Sequence, residues 1–304
     1  MTTPQERGPG IIVGLDGSPG SKAALTWATS AAEAFGVRLT AVRAYATPND
    51  PYGGVLGPAP DILYDELRVN AEKELHQELS DVLGAERQDA TARMVGGGTA
   101  TDVLAAAAEG SELLVVGEQG QSRLGLGSTA EDLARHAPVP VVVVRSDLDA
   151  DKGEEAPEAG RVVVAVGETE HSATTLEFAF RYASRTRHPI TVLHVWDAPF
   201  YRISGKGARA ADVDPVEIYQ ADERRVLAEA VAQWEAKFPD VDVRISAVPG
   251  KTANIVIAAS AGAALLVVGG RQRKLTGAIT FGSIPHAAVH HAHCAVAVVP
   301  AASR

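Results

Sequence analysis

The sequence consists of two similar halves, and this internal repeat constrains the fold more than any other feature. The segment GIIVGLDGSPGSKAALTWA begins at Gly10, and GRVVVAVGETEHSATTLEFA begins at Gly160. Further along the chain, ELLVVGEQG begins at Glu112 and ALLVVGGRQ at Ala264. A period of about 150 residues is the size of one domain, so the 304-residue chain is predicted to form two tandem domains of the same architecture.

The spacing between matched positions is 151 residues at Gly14 and Ala165, and it grows further along the chain. It is 152 residues between Gly117 and Gly269 but 155 residues between Gly127 and Gly282. The first half therefore lacks three residues in the loop that begins at Gly117.

Each half alternates short apolar runs with segments of helical periodicity. Hydrophobic residues make up 46% of the chain and aromatic residues only 5%, so we expect cores of Val, Ala, Leu and Ile. The pattern predicts two doubly wound α/β domains, each a five-stranded parallel sheet with helices on both faces. Helices are predicted at segments such as 20–35 and 62–83. The predicted strands are 10–15, 38–45, 90–95, 112–117 and 139–145, then about 161–166, 189–196, 241–248, 264–269 and 294–299.

The charge distribution separates the two domains. The chain carries 28 basic and 38 acidic residues, and its net charge of −10 divides into −8 for residues 1–146, −5 for 147–160 and +3 for 161–304. The middle segment, DLDADKGEEAPEAG, is predicted to be an acidic linker between domain 1 (1–146) and domain 2 (161–304). Since an acidic chain binds nucleic acid poorly, we expect no nucleic-acid partner.

Several other classes of protein are excluded by composition. The single cysteine, Cys294, allows neither an intramolecular disulfide framework nor a zinc finger. No apolar run approaches the roughly 20 residues that span a bilayer. The N-terminal residues MTTPQER are polar, which is unlike a signal peptide. We therefore expect a cytoplasmic protein with no membrane partner.

Candidate ligand-binding residues follow the predicted strands. In an open parallel sheet, ligands bind beyond the carboxyl ends of the strands. Asp16 follows strand one, Ala44 and Tyr45 end strand two, and a glycine-rich loop starts at Gly117 after strand four. An aspartate there can accept hydrogen bonds from a sugar or a base.

The loop GEQGQSRLGLGS, residues 117–128, leads into a predicted helix. Glycines let backbone amides approach phosphate oxygens, and Ser128 and Thr129 at the helix start would add further donors. Glycines between a strand and a helix are equally typical of a tight turn, so the loop alone leaves both interpretations open.

Three segments together resemble the universal stress protein family: VGLDGSPGS, ELLVVGEQG and GSTAEDLARHAPVPVVVVR. The resemblance extends over nearly the whole chain, twice, as in tandem members. It implies that each domain has the strand order 3-2-1-4-5. Many members bind ATP through the pattern G-2x-G-9x-G-S/T, and others lack the pattern and bind no nucleotide.

The resemblance implies an adenine-nucleotide site, with ATP, accompanied by Mg²⁺, as the expected ligand. The implied site residues are, in the first half, Asp16, Ala44, Val116, Gly117, Gly120, Gly127, Ser128 and Thr129 and, in the second half, Val195, Gly269, Gly282 and Ser283.

Neither half fits the family pattern fully. The first-half loop reads G-2x-G-6x-G-S, and Glu118 is expected to repel phosphates. The second half has the family's loop length and a basic stretch at 271–274, but Gln272 replaces its second glycine and Gly167 stands where aspartate is expected. We therefore expect the first half to hold nucleotide better than the second.

Two further motifs are interpreted as structural. A P-loop around Gly250-Lys251-Thr252 would need glycine at position 245, which is Ile245, so the motif is predicted to be the turn after strand three. His286 and His290 have the i, i+4 spacing of a metal pair on a helix, but we interpret them as a structural cluster and predict no metal site.

The final strands, Val139–Arg145 and Ala295–Val299, are strongly apolar. Apolar edge strands pair with other edges, so the two halves are expected to form an intramolecular pseudo-dimer, and two chains a homodimer.

These observations favour a cytoplasmic stress-response protein that binds an adenine nucleotide and regulates through it, with no catalytic residues. The alternative is a nucleotide-independent interaction module whose glycine loops have degenerated. An enzyme of the wider adenine-nucleotide α-hydrolase-like fold is the weakest hypothesis, because the motifs S-G-G-x-D-S and H-I-G-H are missing from the sequence.

Overall fold

The chain divides into two units, Met1–Leu148 and Asp149–Arg304. We describe them from a computed structural model. The division falls inside the acidic segment 147–160. The described residues are 10–47, 61–118, 128–146, 156–167, 172–196, 215–270, 273–275, 278–280 and 282–301.

The first unit is a parallel sheet with strand order β3-β2-β1-β4-β5. Residues 11–14 and 141–144 are buried along their whole length, which is why these strands consist of Ile, Val and Gly alone. The predicted fold class and strand order are confirmed for this unit. Its strands are β1 (Ile11–Gly14), β2 (Leu39–Tyr45), β3 (Ala92–Gly97), β4 (Leu113–Gly117) and β5 (Val141–Val144).

Helices cover both faces of this sheet. α1 and α2 pack on one face and α4 and α5 on the other, as right-handed crossovers require. The short helix α3 was not predicted, since six residues are too few to show periodicity. The helices are α1 (Pro19–Phe35), α2 (Asp61–Val82), α3 (Ala85–Ala90), α4 (Ala100–Ala108) and α5 (Ser128–His136).

The second unit repeats this order as β8-β7-β6-β9-β12. Its sheet is built from β6 (Val162–Val166), β7 (Ile190–Trp196), β8 (Val243–Pro249), β9 (Leu265–Gly270) and β12 (Val296–Pro300). Its helices are α6 (Ala173–Thr186), α7 (Pro215–Lys237), α8 (Thr252–Ala259) and α9 (Ser283–His291). Within the described ranges, none of the helices of either unit is both long and apolar enough to cross a membrane.

Between β9 and α9 the second unit contains a hairpin that the sequence did not predict. β10 (Arg273–Leu275) pairs antiparallel with β11 (Ala278–Thr280), and Lys274 lies opposite Ile279. Three-residue strands carry too little alternation to be recognised in a sequence.

The end of the acidic segment is held against the second unit. Residues 156–160 form turns, and the Thr191 hydroxyl donates to a carboxylate oxygen of Glu158 at 2.6 Å. The Arg244 guanidinium donates to the Pro157 carbonyl at 2.9 Å. Nearby, the buried Arg161 donates to Thr191 at 2.9 Å and to Asp242 at 2.9 Å.

Candidate functional site

The turn between β1 and α1 presents Asp16 at the carboxyl edge of the first sheet. The half-buried Asp16 accepts a hydrogen bond from the Ser18 N–H through Oδ1 at 3.0 Å. Gly17, with φ of 84°, makes the turn possible because L-residues rarely adopt this conformation. Ser18 then caps α1 by accepting the Ser21 N–H at 3.1 Å. The aspartate is therefore held by the same bonds that start the helix.

Gly117, the last residue of β4, lies against the first turn of α1. A Cβ atom on Gly117 would meet the Gly20 carbonyl carbon at 2.5 Å. Only glycine permits this approach, which brings the end of β4 beside the start of α1. Gly117 is thus required by packing, whether or not a phosphate binds there.

The other first-half candidates lie at or after the same edge, because parallel strands end on one side of a sheet. Ala44 is the next-to-last residue of β2, and the buried Val116 precedes Gly117 in β4. α5 begins at Ser128, followed by the half-buried Thr129. Gly120 and Gly127 lie outside the described residues.

Glu118 is not the uncompensated charge that the sequence suggested. It is only 7% exposed, and its carboxylate pairs with the Arg145 guanidinium at 2.8 Å. Arg145 directly follows β5, the neighbour of β4, so parallel pairing brings the two charges together. The sequence shows the charge of Glu118 but does not indicate that its partner lies 27 positions further along the chain.

A buried polar network behind Asp16 was missed. Arg43 of β2 is 9% exposed, and its guanidinium donates to Glu78 at 3.3 Å and to Glu74 at 2.6 Å, both on α2. The same guanidinium donates to the backbone carbonyl of Asp16 at 3.4 Å. The available signal was an arginine inside the apolar strand LTAVRAY, since a buried charge needs a partner.

Glu78 holds the other side of this network. Its carboxylate, 3% exposed, is hydrogen-bonded to the Ser21 hydroxyl and to the Gly17 N–H. Burial raises the pKa of Glu78, while the bond from Ser21 and the charge of Arg43 act in the opposite direction. The nearby carboxylate of Asp16 adds to the rise in this pKa.

The second unit has a different set of groups at its carboxyl edge. Gly167 follows β6, and none of the described residues has an atom within 4 Å of where its Cβ would project. His194, beside the candidate Val195 in β7, occupies the place of Arg43; its Nδ1 is 3.0 Å from the Val166 carbonyl and its Nε2 is 3.5 Å from Glu223.

The remaining second-half candidates surround α9 and β9. Gly269 is the next-to-last residue of β9, and among the described residues a Cβ there would meet only the Thr175 hydroxyl, at 3.0 Å. Gly282 occupies the position before α9, and Ser283 is the first residue of that helix. Gln272 lies outside the described residues.

Comparison with known proteins decides the family. A sequence model described as the universal stress protein family matches residues 10–145 and 158–300. The chain belongs to the universal stress protein family. The two matches cover the two structural units, so this universal stress protein is a tandem member.

Relatives with both domains support the assignment over almost the whole chain. The universal stress protein Rv2005c of Mycobacterium tuberculosis is 28% identical over 298 residues, 95% of this chain and 96% of that protein. Rv2623 of the same organism is 29% identical over 301 residues, 90% and 91% of the two chains. A universal stress protein structure from Archaeoglobus fulgidus shares the fold, with a TM-score of 0.64 at 17% identity over 96% of this chain and 98% of that one.

The motifs interpreted as structural lie within the described residues of this universal stress protein. Lys251 lies between Gly250, with φ of 141°, and the start of α8, as the predicted turn after strand three requires. His286 and His290 lie on α9 with ring centroids 4.1 Å apart. Cys294 is buried, and burial raises the pKa of its thiol to about 12.

Proposed function

We propose that this universal stress protein binds an adenine nucleotide at the carboxyl edge of the first unit. The first nucleotide to consider is ATP with Mg²⁺. The observation that carries the proposal is the β1–α1 turn, which presents the Asp16 carboxylate at the edge where Gly117 ends β4. The carboxylate would accept hydrogen bonds from ribose hydroxyls or from the adenine amino group.

The start of α5 would supply the complementary site for phosphate. This nine-residue helix begins at Ser128, and its first turn has backbone N–H groups without intrahelical acceptors at the positive end of the helix dipole. The Glu118 charge that would oppose an anion is compensated by Arg145. Mg²⁺ would accompany the phosphates and neutralise part of their charge.

We infer a regulatory role rather than turnover. The polar groups behind Asp16 are buried: Ser21 is 3% and Glu78 3% exposed, and both are engaged in holding the turn. Such an arrangement suits a fixed binding site whose occupied and empty states are recognised by another protein.

The second candidate is an interaction module that needs no nucleotide. It is favoured by Gly117, whose glycine is explained by contact with Gly20 alone, and by Gly167, which gives the second unit no carboxylate at the matching position.

The first experiment is to denature the purified protein, identify released nucleotide by mass spectrometry, and titrate the intact protein with Mg-ATP by calorimetry. Asp16→Asn keeps an acceptor for the Ser18 N–H but loses the charge, so we expect its Kd to rise about tenfold to a hundredfold. Asp89→Asn, at an exposed position on α3, is the matched control. Neither released nucleotide nor binding heat would favour the interaction module.

A further inference from the structure

We propose that Arg43 and Glu78 are positioning residues for Asp16, and that they set the affinity of the site without touching the ligand. This inference rests on the proposed function, because the affinity concerned is that of the nucleotide. The pair lies behind the β1–α1 turn, between β2 and α2.

Arg43 fixes the turn through the residue that bears the carboxylate. Its guanidinium reaches the Asp16 carbonyl at 3.4 Å and, on its other side, the two carboxylates of α2. A guanidinium is planar and always charged, so one buried arginine holds three groups in a fixed relation. Moving Arg43 would therefore move the backbone from which the Asp16 side chain projects.

Glu78 fixes the residues that follow. Its carboxylate bonds to the Gly17 N–H and to the hydroxyl of Ser21. The Ser21 hydroxyl also lies 2.9 Å from the Ser18 carbonyl. Every residue from Asp16 to Ser18 thus contacts the pair or a direct partner of it. This matters because a glycine at the centre of the turn gives the backbone freedom that only such contacts remove.

Comparison with the second unit indicates that the Arg43–Glu78 pair serves the candidate site and is not a general requirement of the core. There His194 replaces Arg43, and the residue after β6 is Gly167 instead of an aspartate. The same sheet therefore forms without the arginine. Replacing a buried ion pair by apolar residues is often neutral for stability, so stability alone does not explain the pair. The arginine and the aspartate occur together, in the unit with the candidate site.

The test uses the full chain and removes both charges together, since Arg43→Met alone would leave the buried Glu78 carboxylate without its ion pair. In the Arg43→Met/Glu78→Met protein we expect the Kd for Mg-ATP to rise about tenfold, the loss of one well-placed hydrogen bond. Added to Asp16→Ala, the same double change should alter Kd by less than twofold, because its effect acts through Asp16. An equal loss in both backgrounds would show a merely structural role and overturn the inference.

A second readout needs no ligand. Hydrogen exchange of the Gly17 and Ser18 amides should be at least tenfold faster in the double variant than in the wild type, with exchange in β4 unchanged. Unchanged exchange at these two amides would overturn the inference. If the wild type binds no nucleotide, the proposed function fails, and this measurement still decides whether the pair holds the turn.

Arg161→Met is the matched control. Arg161 is 8% exposed, about as buried as Arg43, and bonds to Thr191 and Asp242 in the second unit. Its loss should lower stability and leave the Kd for Mg-ATP and the Gly17 exchange unchanged. A change in either quantity would show that these readouts respond to any buried arginine, which would also overturn the inference.

Discussion

At the residue scale, Glu78 should make stability depend on pH. Its pKa is raised in the folded protein, so the folded chain binds more protons there than the unfolded chain. Its contribution is then greatest below the usual value of 4.5 and falls as pH rises through the raised pKa. The Ser21 hydroxyl has one proton but two possible acceptors, Glu78 and the Ser18 carbonyl. When Glu78 is protonated, it donates to the Ser21 oxygen, and the Ser21 hydroxyl donates to the Ser18 carbonyl.

Glu78→Gln removes this titration. We expect the free energy of unfolding of the variant to improve relative to wild type as pH rises from about 4.5 to 8. Arg43, Glu74 and Asp16, the charged groups that face Glu78, are retained in both proteins. Chemical denaturation at a series of pH values measures the difference, with the exposed Glu72→Gln as control. Parallel curves for wild type and variant would contradict the assignment.

Gly117 should tolerate no side chain. In Gly117→Ala the new Cβ would meet the backbone of Gly20, which cannot rotate away, and we expect a loss of about 1–3 kcal/mol. In Gly269→Ala, at the equivalent position of the second unit, the new Cβ meets the Thr175 hydroxyl and no other atom of the part of the chain that the structure describes, so the loss should stay under about 1 kcal/mol.

For Gly117→Ala and Gly269→Ala, hydrogen exchange of the β4 and β9 amides measures the stability of each unit separately. Gly167→Ala is the control and should be neutral, because no atom of the described ranges lies within 4 Å of the new Cβ. Equal losses at Gly117 and Gly269 would show that backbone contact is not the cause.

At the element scale, helices α1 and α6 end in the same conformation with different residues. The C-cap of α1 is Gly36, with φ of 65°, and that of α6 is Arg187, with φ of 57°. A left-handed conformation costs L-residues about 1–2 kcal/mol. Arg187→Gly should therefore stabilise the second unit by roughly 1 kcal/mol, and Gly36→Arg should destabilise the first by a similar amount. No atom of the described residues lies within 4 Å of the Gly36 Cβ position, so the backbone conformation and not a clash sets the second value. Changes of the same sign in thermal unfolding would contradict this.

Helices α4 and α8 start at equivalent places in the two units but have different N-cap residues. Thr99 caps α4 by accepting the Asp102 N–H at 3.1 Å, whereas Lys251 at the start of α8 makes no side-chain capping bond. Lys251→Thr should stabilise α8 by about 0.5–1 kcal/mol, and Thr99→Ala should cost α4 about 1 kcal/mol. Exchange of the helix amides measures both. The Kd for Mg-ATP should be unchanged in Lys251→Thr, and a loss of affinity would revive the P-loop interpretation of Gly250-Lys251-Thr252.

The sequence predicted the long elements well, for a physical reason. Buried parallel strands are continuous apolar runs, so β1 was predicted as 10–15 and observed as Ile11–Gly14, and α1 as 20–35 and observed as Pro19–Phe35. α3 and the β10–β11 hairpin were missed because short elements depend on local hydrogen bonds more than on periodicity. The edge that carries Asp16 was predictable, because strand ends are visible in the sequence.

The network behind that edge was not predictable. Arg43 and Glu78 are 35 positions apart, and their contact depends on how α2 lies on β2. The same limit explains Glu118, whose partner Arg145 comes from a neighbouring strand. Sequence position tells which residues end a strand, whereas charge compensation is a property of the packed structure.

At the scale of the whole molecule, the two units should not bind nucleotide equally. Only the first follows its first strand with an aspartate; the second has Gly167 there, and His194 in place of Arg43. We therefore expect one equivalent of Mg-ATP per chain. Saturating nucleotide should slow hydrogen exchange at residues 15–18 and at the start of α5, and leave exchange at residues 166–167 unchanged. The reason is that a bound ligand suppresses local unfolding of the segments that it contacts.

Asp16→Ala provides the test of this asymmetry. If the first unit holds the site, the variant should bind Mg-ATP with a raised but measurable Kd and show weaker protection in the first unit, and no protection should appear in the second. Gly167→Asp is the reciprocal change. It places a carboxylate at the second edge, where His194 and not an arginine lies behind it, so we expect no second equivalent. Two equivalents in the wild type would contradict the asymmetry, and a second equivalent in Gly167→Asp would show that an aspartate alone suffices without the buried pair.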